Sequence, residues 1–245
     1  MASPAYELIL EVQALDLSIE QLRHQAANHP DRERLNEIDA RLAAHDAEAA
    51  EVEAARHELE RQRKRLEDEV ATIQARRVEI DGKLYGGEVT ASKELLALQD
   101  EADSLLTKQT ALEDDELELM EQLEERTGDL SSRAETRAGI EAERATVQSG
   151  LDAAVATIEA QIGEIDQQRS TKASPEPGAV QGWSDLIGHY DELRAQYDGV
   201  PVARLVGSRC DGCHIQLSAV AVDQLSKMPD DAVVTCEECG RLLVR

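Results

Sequence analysis

The stretch that decides the architecture is Leu84-Tyr85-Gly86-Gly87-Glu88-Val89-Thr90-Ala91-Ser92. A glycine pair ends a helix readily, because glycine alone reaches positive φ at little cost. Thr90 or Ser92 is placed to cap the helix that follows, and Glu94 stands in its first turn, where the helix dipole favours an acid. Before the break, Pro4 to Gly82 is 79 residues; after it, Ala91 to Ser170 is 80. At about 1.5 Å per residue each arm would run to roughly 120 Å. Matched arms around one turn predict a helical hairpin. A parallel intermolecular coiled coil is the competing arrangement, and it would leave the break and the equal arms as coincidences.

Heptads fill both arms. Leu8, Val12, Leu15, Ile19 and Leu22 alternate by four and three, then Asn28-His29-Pro30 interrupts them. Proline lacks an N–H but suits a first helical turn, so this is read as a stop and restart or a kink. A second register runs from Leu35 to Leu84 through Ile38, Leu42, Ala49, Val52, Leu59, Leu66, Val70, Ile73 and Ile80. A third runs from Leu95 to Ile165 without a slip. Such persistence predicts supercoiled helices. Polar residues also fall on the seams, among them His45, Arg56, Arg63, Arg77, Gln109, Glu116, Arg126, Arg133, Arg137, Arg144 and Gln161. Arg56 comes about level with Glu116. Either such residues pair across the seam and fix register, or the arginines snorkel, burying their stems and leaving their heads at the edge.

Composition agrees. The 245 residues include no Phe, 2 % aromatics and 31 % charged residues. A large globular core leans on aromatic bulk, whereas long helices with narrow seams do not. The formal charge is −25, of which residues 179–245 carry −4 and the helical part −21. That surface is read as a solvated coiled-coil face; it repels phosphate backbones and suits a basic partner. No apolar stretch reaches the roughly 18 residues of a membrane span, and the N-terminus has no secretion signal. The expected location is the cytoplasm.

Residues 173–178 contain two prolines and a glycine and read as a linker. Trp183, Leu186, Ile187, Tyr190, Leu193 and Tyr197 then recur at helical spacing. A hairpin would return this stripe beside Tyr6 and Leu8, so it is read as the joint seating a terminal module rather than a stacking platform for bases.

That module is marked by Cys210-Asp-Gly-Cys213 and Cys236-Glu-Glu-Cys239, 22 residues apart. Two C-x-x-C pairs without an export signal predict metal ligation rather than disulfides. Four thiolates make a closed tetrahedral site, so the expected cofactor is one structural zinc ion, with an iron site as the alternative. Gly212 and Gly240 are expected to supply the φ freedom of the two knuckles. His214 is expected to be exposed or hydrogen-bonded rather than a fifth ligand. Ser218–Leu225 reads as a short helix capped by Ser218, with strands at Val202–Leu205, Val233–Thr235 and Leu242–Val244.

The fold class is therefore mainly α: a long antiparallel coiled-coil hairpin over residues 1–172 with its turn at about 84–91, a linker at 173–178, and a connecting helix with a small α+β zinc ribbon at 179–245. These parts resemble a bacterial family that joins a coiled-coil hairpin to a C-terminal C4-type zinc ribbon. The likeness rests on Tyr85-Gly-Gly-Glu-Val-Thr-Ala-Ser-Lys-Glu-Leu-Leu-Ala-Leu-Gln99 at the tip. It rests also on Val202-Ala-Arg-Leu-Val-Gly-Ser-Arg-Cys-Asp-Gly-Cys-His214 and Cys236-Glu-Glu-Cys-Gly-Arg-Leu-Leu243 at the tail. Family members often end in Leu-Tyr and carry proline inside the second knuckle, where this chain has Val244 and Glu237. The resemblance implies protein–protein roles, including binding of the sigma-54 factor of RNA polymerase, regulation of flagella or secretion, and some RNA contact.

The function expected is that of a non-enzymatic interaction adaptor or chaperone-like scaffold linked to transcription regulation, acting as a monomeric hairpin or a dimer of hairpins. Its expected partner surfaces are the tip (Tyr85, Gly86, Gly87, Lys93, Glu94) and the exposed face of the ribbon (Arg209, His214, Arg241). The alternative is nucleic-acid binding by the ribbon through Arg204, Arg209, Arg241 and Arg245, against which the −4 charge argues.

Overall fold

The element order is α1 (Pro4–Ala27), α2 (Pro30–Tyr85), α3 (Ser92–Ala173), α4 (Trp183–Arg194), β1 (Val202–Val206), β2 (Arg209–Cys210), α5 (Ala219–Lys227) and β3 (Leu242–Val244). The computed structural model describes residues 4–87, 89–176, 179–229 and 232–245. Glu88 of the expected turn and Pro177 and Gly178 of the expected linker lie outside the described residues, as do Met1, Ala2, Ser3, Asp230 and Asp231. The chain packs as two units, Met1–Arg32 with Ser149–Arg245, and Glu33–Gln148.

In the second unit α2 and α3 run antiparallel. Ion pairs cross between them at Asp39–Arg144 (2.6 Å), Asp46–Arg137 (2.8 Å), Glu48–Arg133 (2.9 Å) and Arg76–Glu101 (2.8 Å). Positions rise along one helix as they fall along the other, as the hairpin reading requires. Leu35, Ile38, Val70, Ile73 and Ile80 are buried on α2, facing a seam that includes Ile140 and Val147 of α3. At the turn Gly87 adopts φ +77°, a conformation side chains resist. The Ala91 carbonyl accepts the amides of Glu94 and Leu95. Ala91 thus holds the N-cap position, and Ser92 is the first helical residue rather than a cap.

The seam arginines divide between the two readings: Arg133, Arg137 and Arg144 reach acids of the facing helix, whereas Arg56 and Arg63 bury their stems without crossing. The Nε atoms of Arg56, Arg63 and Arg77 are buried without a hydrogen-bond partner, while the head of Arg56 turns to Glu53 of its own helix at 2.8 Å. The Arg56–Glu116 pairing therefore gives way to an intrahelical one. A cross-seam polar layer forms elsewhere: Arg77 donates to Gln109 at 2.7 Å, and Gln109 donates to Glu113 at 2.7 Å.

In the first unit α1 ends at Ala27 and α2 restarts at Pro30, with proline at the first helical position. Beyond Leu151 the half-buried residues of α3 include Ala154, Val155, Ile158, Ile162, Ile165 and Arg169, with Gln161 exposed. Ala154, Ile158 and Ile165 keep the expected register through Ile165, while Val155 and Ile162 join the stripe one residue beside it. A straight α-helix drifts this way against a seven-residue repeat. It is free to do so because this part of α3 no longer serves a two-helix seam: Arg169 bonds both Asp16 of α1 and Asp191 of α4.

The core of this unit gathers Ala5, Tyr6, Ile9 and Val12 of α1, Trp183, Leu186 and Tyr190 of α4, and Val202, Leu242 and Val244 of the ribbon. The aromatic stripe is thus the joint between helices and ribbon. Tyr197 departs from it: α4 stops at Arg194, and Asp198 (φ +47°) turns the chain so that Tyr197 packs on the ribbon instead. Two buried polar side chains complete the joint. Gln13 pairs with the backbone of Val202 as a strand would, accepting its N–H at 2.8 Å and donating to its carbonyl at 3.0 Å. Asp16, 1 % exposed, accepts from Tyr190 Oη (2.7 Å), Arg169 Nε (2.9 Å) and Arg194 Nη1 (3.1 Å). Burial, reinforced by that bond to Asp16, pushes the Tyr190 phenol well above its ordinary pKa.

Candidate metal centre

The ribbon is a three-stranded sheet of order β2-β1-β3, with β1 antiparallel to β2 and parallel to β3. β1 and β3 fall where the sequence places strands. Val233–Thr235 forms no named strand, contributing one bridge, Thr235 to Leu242, and one bond from Leu243 N to Val234 O. Ser218 caps α5 as expected, its Oγ accepting Ala221 N–H at 3.1 Å. Ala203, Leu217, Ala221, Val234 and Leu243 pack with Cys210 and Cys236 beneath the site.

Both knuckles have the same construction. Cys210 N–H donates to Ile215 O (3.1 Å) and His214 N–H returns to Cys210 O (2.9 Å). Cys236 N–H donates to Arg241 O (2.8 Å) and Gly240 N–H returns to Cys236 O (2.8 Å). The residue after the second cysteine takes positive φ in each: His214 at +61° and Gly240 at +74°. The φ freedom expected of Gly212 is therefore exercised by His214 instead. Gly212 is needed for space, since a Cβ there would lie 2.7 Å from Arg241 Cδ and 2.9 Å from Ala203 Cβ.

The four sulfurs lie within 4.8 Å of one another, with Cys210–Cys239 at 4.0 Å and Cys213–Cys236 at 3.9 Å. Thiolates at about 2.3 Å from a tetrahedral zinc stand about 3.8 Å apart, so the cluster is the size of a four-cysteine zinc shell. Cys210 and Cys236 are buried, and Cys213 and Cys239 half-buried. Burial pushes the Cys236 thiol up to about 12, against backbone N–H groups of Cys239 and Glu238. Burial also opposes ionisation of Cys239, but the backbone N–H and guanidinium of Arg241, together with the neighbouring Cys236 and Cys213 thiols, outweigh it and hold that thiol at about 7. Zinc must displace the remaining protons, so its affinity rises with pH. Four sulfurs fill the shell, and the ion is structural.

Around the site the arginines are largely committed. Arg241 is half-buried: its Nε donates to Val200 O at 2.8 Å and its guanidinium lies 4.9 Å from the Tyr197 ring centre. The sequence reading sets it on the exposed face, but it is part of the ribbon's interior bracing. Arg204 pairs with Glu7 at 2.7 Å. Arg245 donates to the carbonyls of Leu225, Met228 and Pro229, closing the C-terminal end of α5. Arg209 and His214 are exposed, and Arg209 has no side-chain partner among the described residues. At the tip Tyr85, Gly86, Gly87, Lys93 and Glu94 are all exposed. Gln13 and Asp16 escape the sequence reading, although each extends an apolar row by four residues, from Ile9 and Val12.

Comparison with known proteins gives the lineage. The model of the CT398-like coiled coil hairpin domain matches residues 12–198, and that of the C4-type zinc ribbon domain matches 209–243. The chain belongs to the CT398-like coiled coil hairpin family. Two uncharacterised proteins of Mycobacterium tuberculosis strains are each 31 % identical to it over 238 residues, covering 97 % of this chain and 94 % of the relative. A solved structure from Mycobacterium smegmatis superposes with TM-score 0.82 at 23 % identity, covering 100 % of both chains. CT398 from Chlamydia trachomatis superposes with TM-score 0.68 at 22 % identity, covering 98 % and 96 %. These likenesses show the fold. This member of the family is a zinc-binding helical scaffold, and no helix among the described residues is long and apolar enough to cross a membrane.

Proposed function

We propose that the protein is a non-enzymatic adaptor or chaperone-like scaffold that holds protein partners in the cytoplasm, in the service of transcription regulation. The observation that carries this reading is the closed set of four sulfurs, which leaves no coordination position for a substrate. The proposed contact surfaces are the hairpin tip, Tyr85, Gly86, Gly87, Lys93 and Glu94, and the exposed ribbon residues Arg209 and His214. The place in transcription regulation rests on the family resemblance alone. Nucleic-acid binding by the ribbon loses support, because Arg204, Arg241 and Arg245 are engaged by the chain's own groups and only Arg209 remains of the four.

The test is affinity capture of the intact protein with and without nuclease. It is run beside Lys93→Ala/Glu94→Ala and Arg209→Ala/His214→Ala variants. Protein partners that survive nuclease and are lost with one variant pair are expected. Partners indifferent to both pairs would remove the named surfaces. Saturable, salt-sensitive binding of a nucleic-acid probe would replace the scaffold reading with the other one.

A further inference from the structure

Six large apolar side chains stand exposed in the unit Glu33–Gln148: Val78 (72 %), Tyr85 (84 %), Leu96 (64 %), Leu106 (45 %), Leu117 (59 %) and Met120 (41 %). Single exposed apolar residues need no explanation. Their placement does. Each immediately follows a seam residue: Arg77, Leu84, Leu95, Leu105, Glu116 and Leu119 respectively. One step past the seam is a rotation of about 100°, always in the same sense, so the six share one flank of their helices.

In an antiparallel pair, flanks of the same sense lie on the same side. The pair Arg76–Glu101 demonstrates this for the opposite sense, since each precedes a seam residue and the two touch at 2.8 Å. Val78 and Tyr85 of α2 therefore share a face with Leu96, Leu106, Leu117 and Met120 of α3. The cross-links Arg76–Glu101 and Arg77–Gln109 bring Val78 level with Leu106, and Tyr85 level with Leu96, to within about a turn. Along α3 the flank from Leu96 to Met120 runs 24 residues, about 36 Å, with Gln99, Asp103, Thr110 and Glu113 between its apolar members.

Farther from the tip this flank carries Glu113, Lys64 and Glu67; near the tip its charged side chains are Asp81 and Asp103. Both are exposed, and neither has a side-chain partner among the described residues. A second copy laid symmetrically on this face would set carboxylates against carboxylates in a chain already at −25. A cationic flank meets them without that repulsion.

We infer that this face of the distal hairpin is a docking surface for an amphipathic helix of a partner protein, with an apolar stripe bordered by Lys or Arg. The helix completes a three-helix bundle, its apolar residues at i, i+3, i+4 and i+7 lying between Val78, Leu96 and Leu106. The inference rests on the scaffold reading and names the partner chemistry for the tip.

The experiment uses the intact zinc-loaded protein and two fluorescent synthetic peptides of identical leucine spacing, one flanked by Lys and one by Glu, read by anisotropy at moderate salt. The Lys peptide is expected to bind, and the Glu peptide to bind at least about tenfold more weakly. Val78→Gln/Leu106→Gln should weaken the Lys peptide by about tenfold or more, while Ala97→Gln/Ser104→Gln, on the opposite flank, should leave it unchanged. These exposed positions tolerate glutamine in a helix, and circular dichroism checks that the variants keep their helicity. Lys-peptide binding that neither variant weakens would mean general charge attraction, and equal weakening by both would mean that neither flank is specific; either result would overturn the inference. So would a self-association in sedimentation that Val78→Gln/Leu106→Gln abolishes, which would assign the face to a second copy. If peptide binding behaves as expected while partner capture fails, the scaffold reading falls. If capture depends on Lys93 and Glu94 while the apolar-face variants bind the peptide normally, only this inference falls.

Discussion

His214 and Gly212 sit two residues apart in the first knuckle and are constrained by different forces. His214 bears the left-handed backbone penalty that Gly240 avoids in the second knuckle. His214→Gly should keep zinc and raise ribbon stability by up to about 1 kcal/mol; Trp183 fluorescence during denaturation checks it. Gly212→Ala should act oppositely, costing about 1–3 kcal/mol because the new methyl meets Arg241 and Ala203. Zinc competition with a chromophoric chelator should then show weaker metal retention. At the joint, Asp16→Ala removes the carboxylate shared by Tyr190, Arg169 and Arg194; Arg169 keeps Asp191 and Arg194 keeps Glu20, so a loss of about 1–3 kcal/mol is expected. Tyr190 adds a pH dependence. Its pKa is raised in the folded state, so its contribution is complete below the ordinary tyrosine value of about 10 and declines as pH rises beyond it. Denaturant midpoints should fall above that pH in the native protein, and the alkaline step should vanish in Tyr190→Phe. None of these residues advertises itself in the sequence as strongly as the cysteines do. The polar ones lie on apolar rows, and His214 carries a conformation that its residue type does not announce.

At the scale of elements, the helices, their break at Pro30 and the turn at Gly86-Gly87 were legible, because helical periodicity and backbone freedom are local properties. The arginines on the seam were not decidable locally. Whether Arg56 reaches Glu116 or Glu53 depends on the spacing of two helices, and the nearer intrahelical carboxylate wins. The buried, unpartnered Nε of Arg63 suggests a test of what such residues cost. Arg63→Leu should stabilise the hairpin by about 1 kcal/mol, since it removes an unsatisfied donor and adds apolar contact. A rise in the urea midpoint at unchanged slope would show it; a fall would mean that the snorkelled stem already packs better than leucine. The replacement of Gln161 by Ile162 on the half-buried stripe was likewise invisible, because the sequence repeat continues where the packing partners change.

For the whole molecule the zinc ion is the natural perturbation. β1 and β3 contribute Val202, Leu242 and Val244 to the core that holds Trp183 and Tyr190. Removing zinc should therefore unfold the ribbon and shift Trp183 emission to the red, while most helical dichroism persists in the hairpin, which has its own seam. Release of one zinc per chain on thiol modification would count the site; an unchanged Trp183 spectrum would disconnect ribbon from joint. By itself the sequence determined the hairpin, the set of four cysteine ligands and the aromatic joint, since periodicity, ligand spacing and chain breaks are written in neighbouring residues. Only the tertiary structure decided that Arg241 braces the ribbon, that Gln13 and Asp16 anchor it, and that six exposed apolar side chains share one face. Those outcomes depend on which distant groups become neighbours, and a linear chain carries no record of that until it packs.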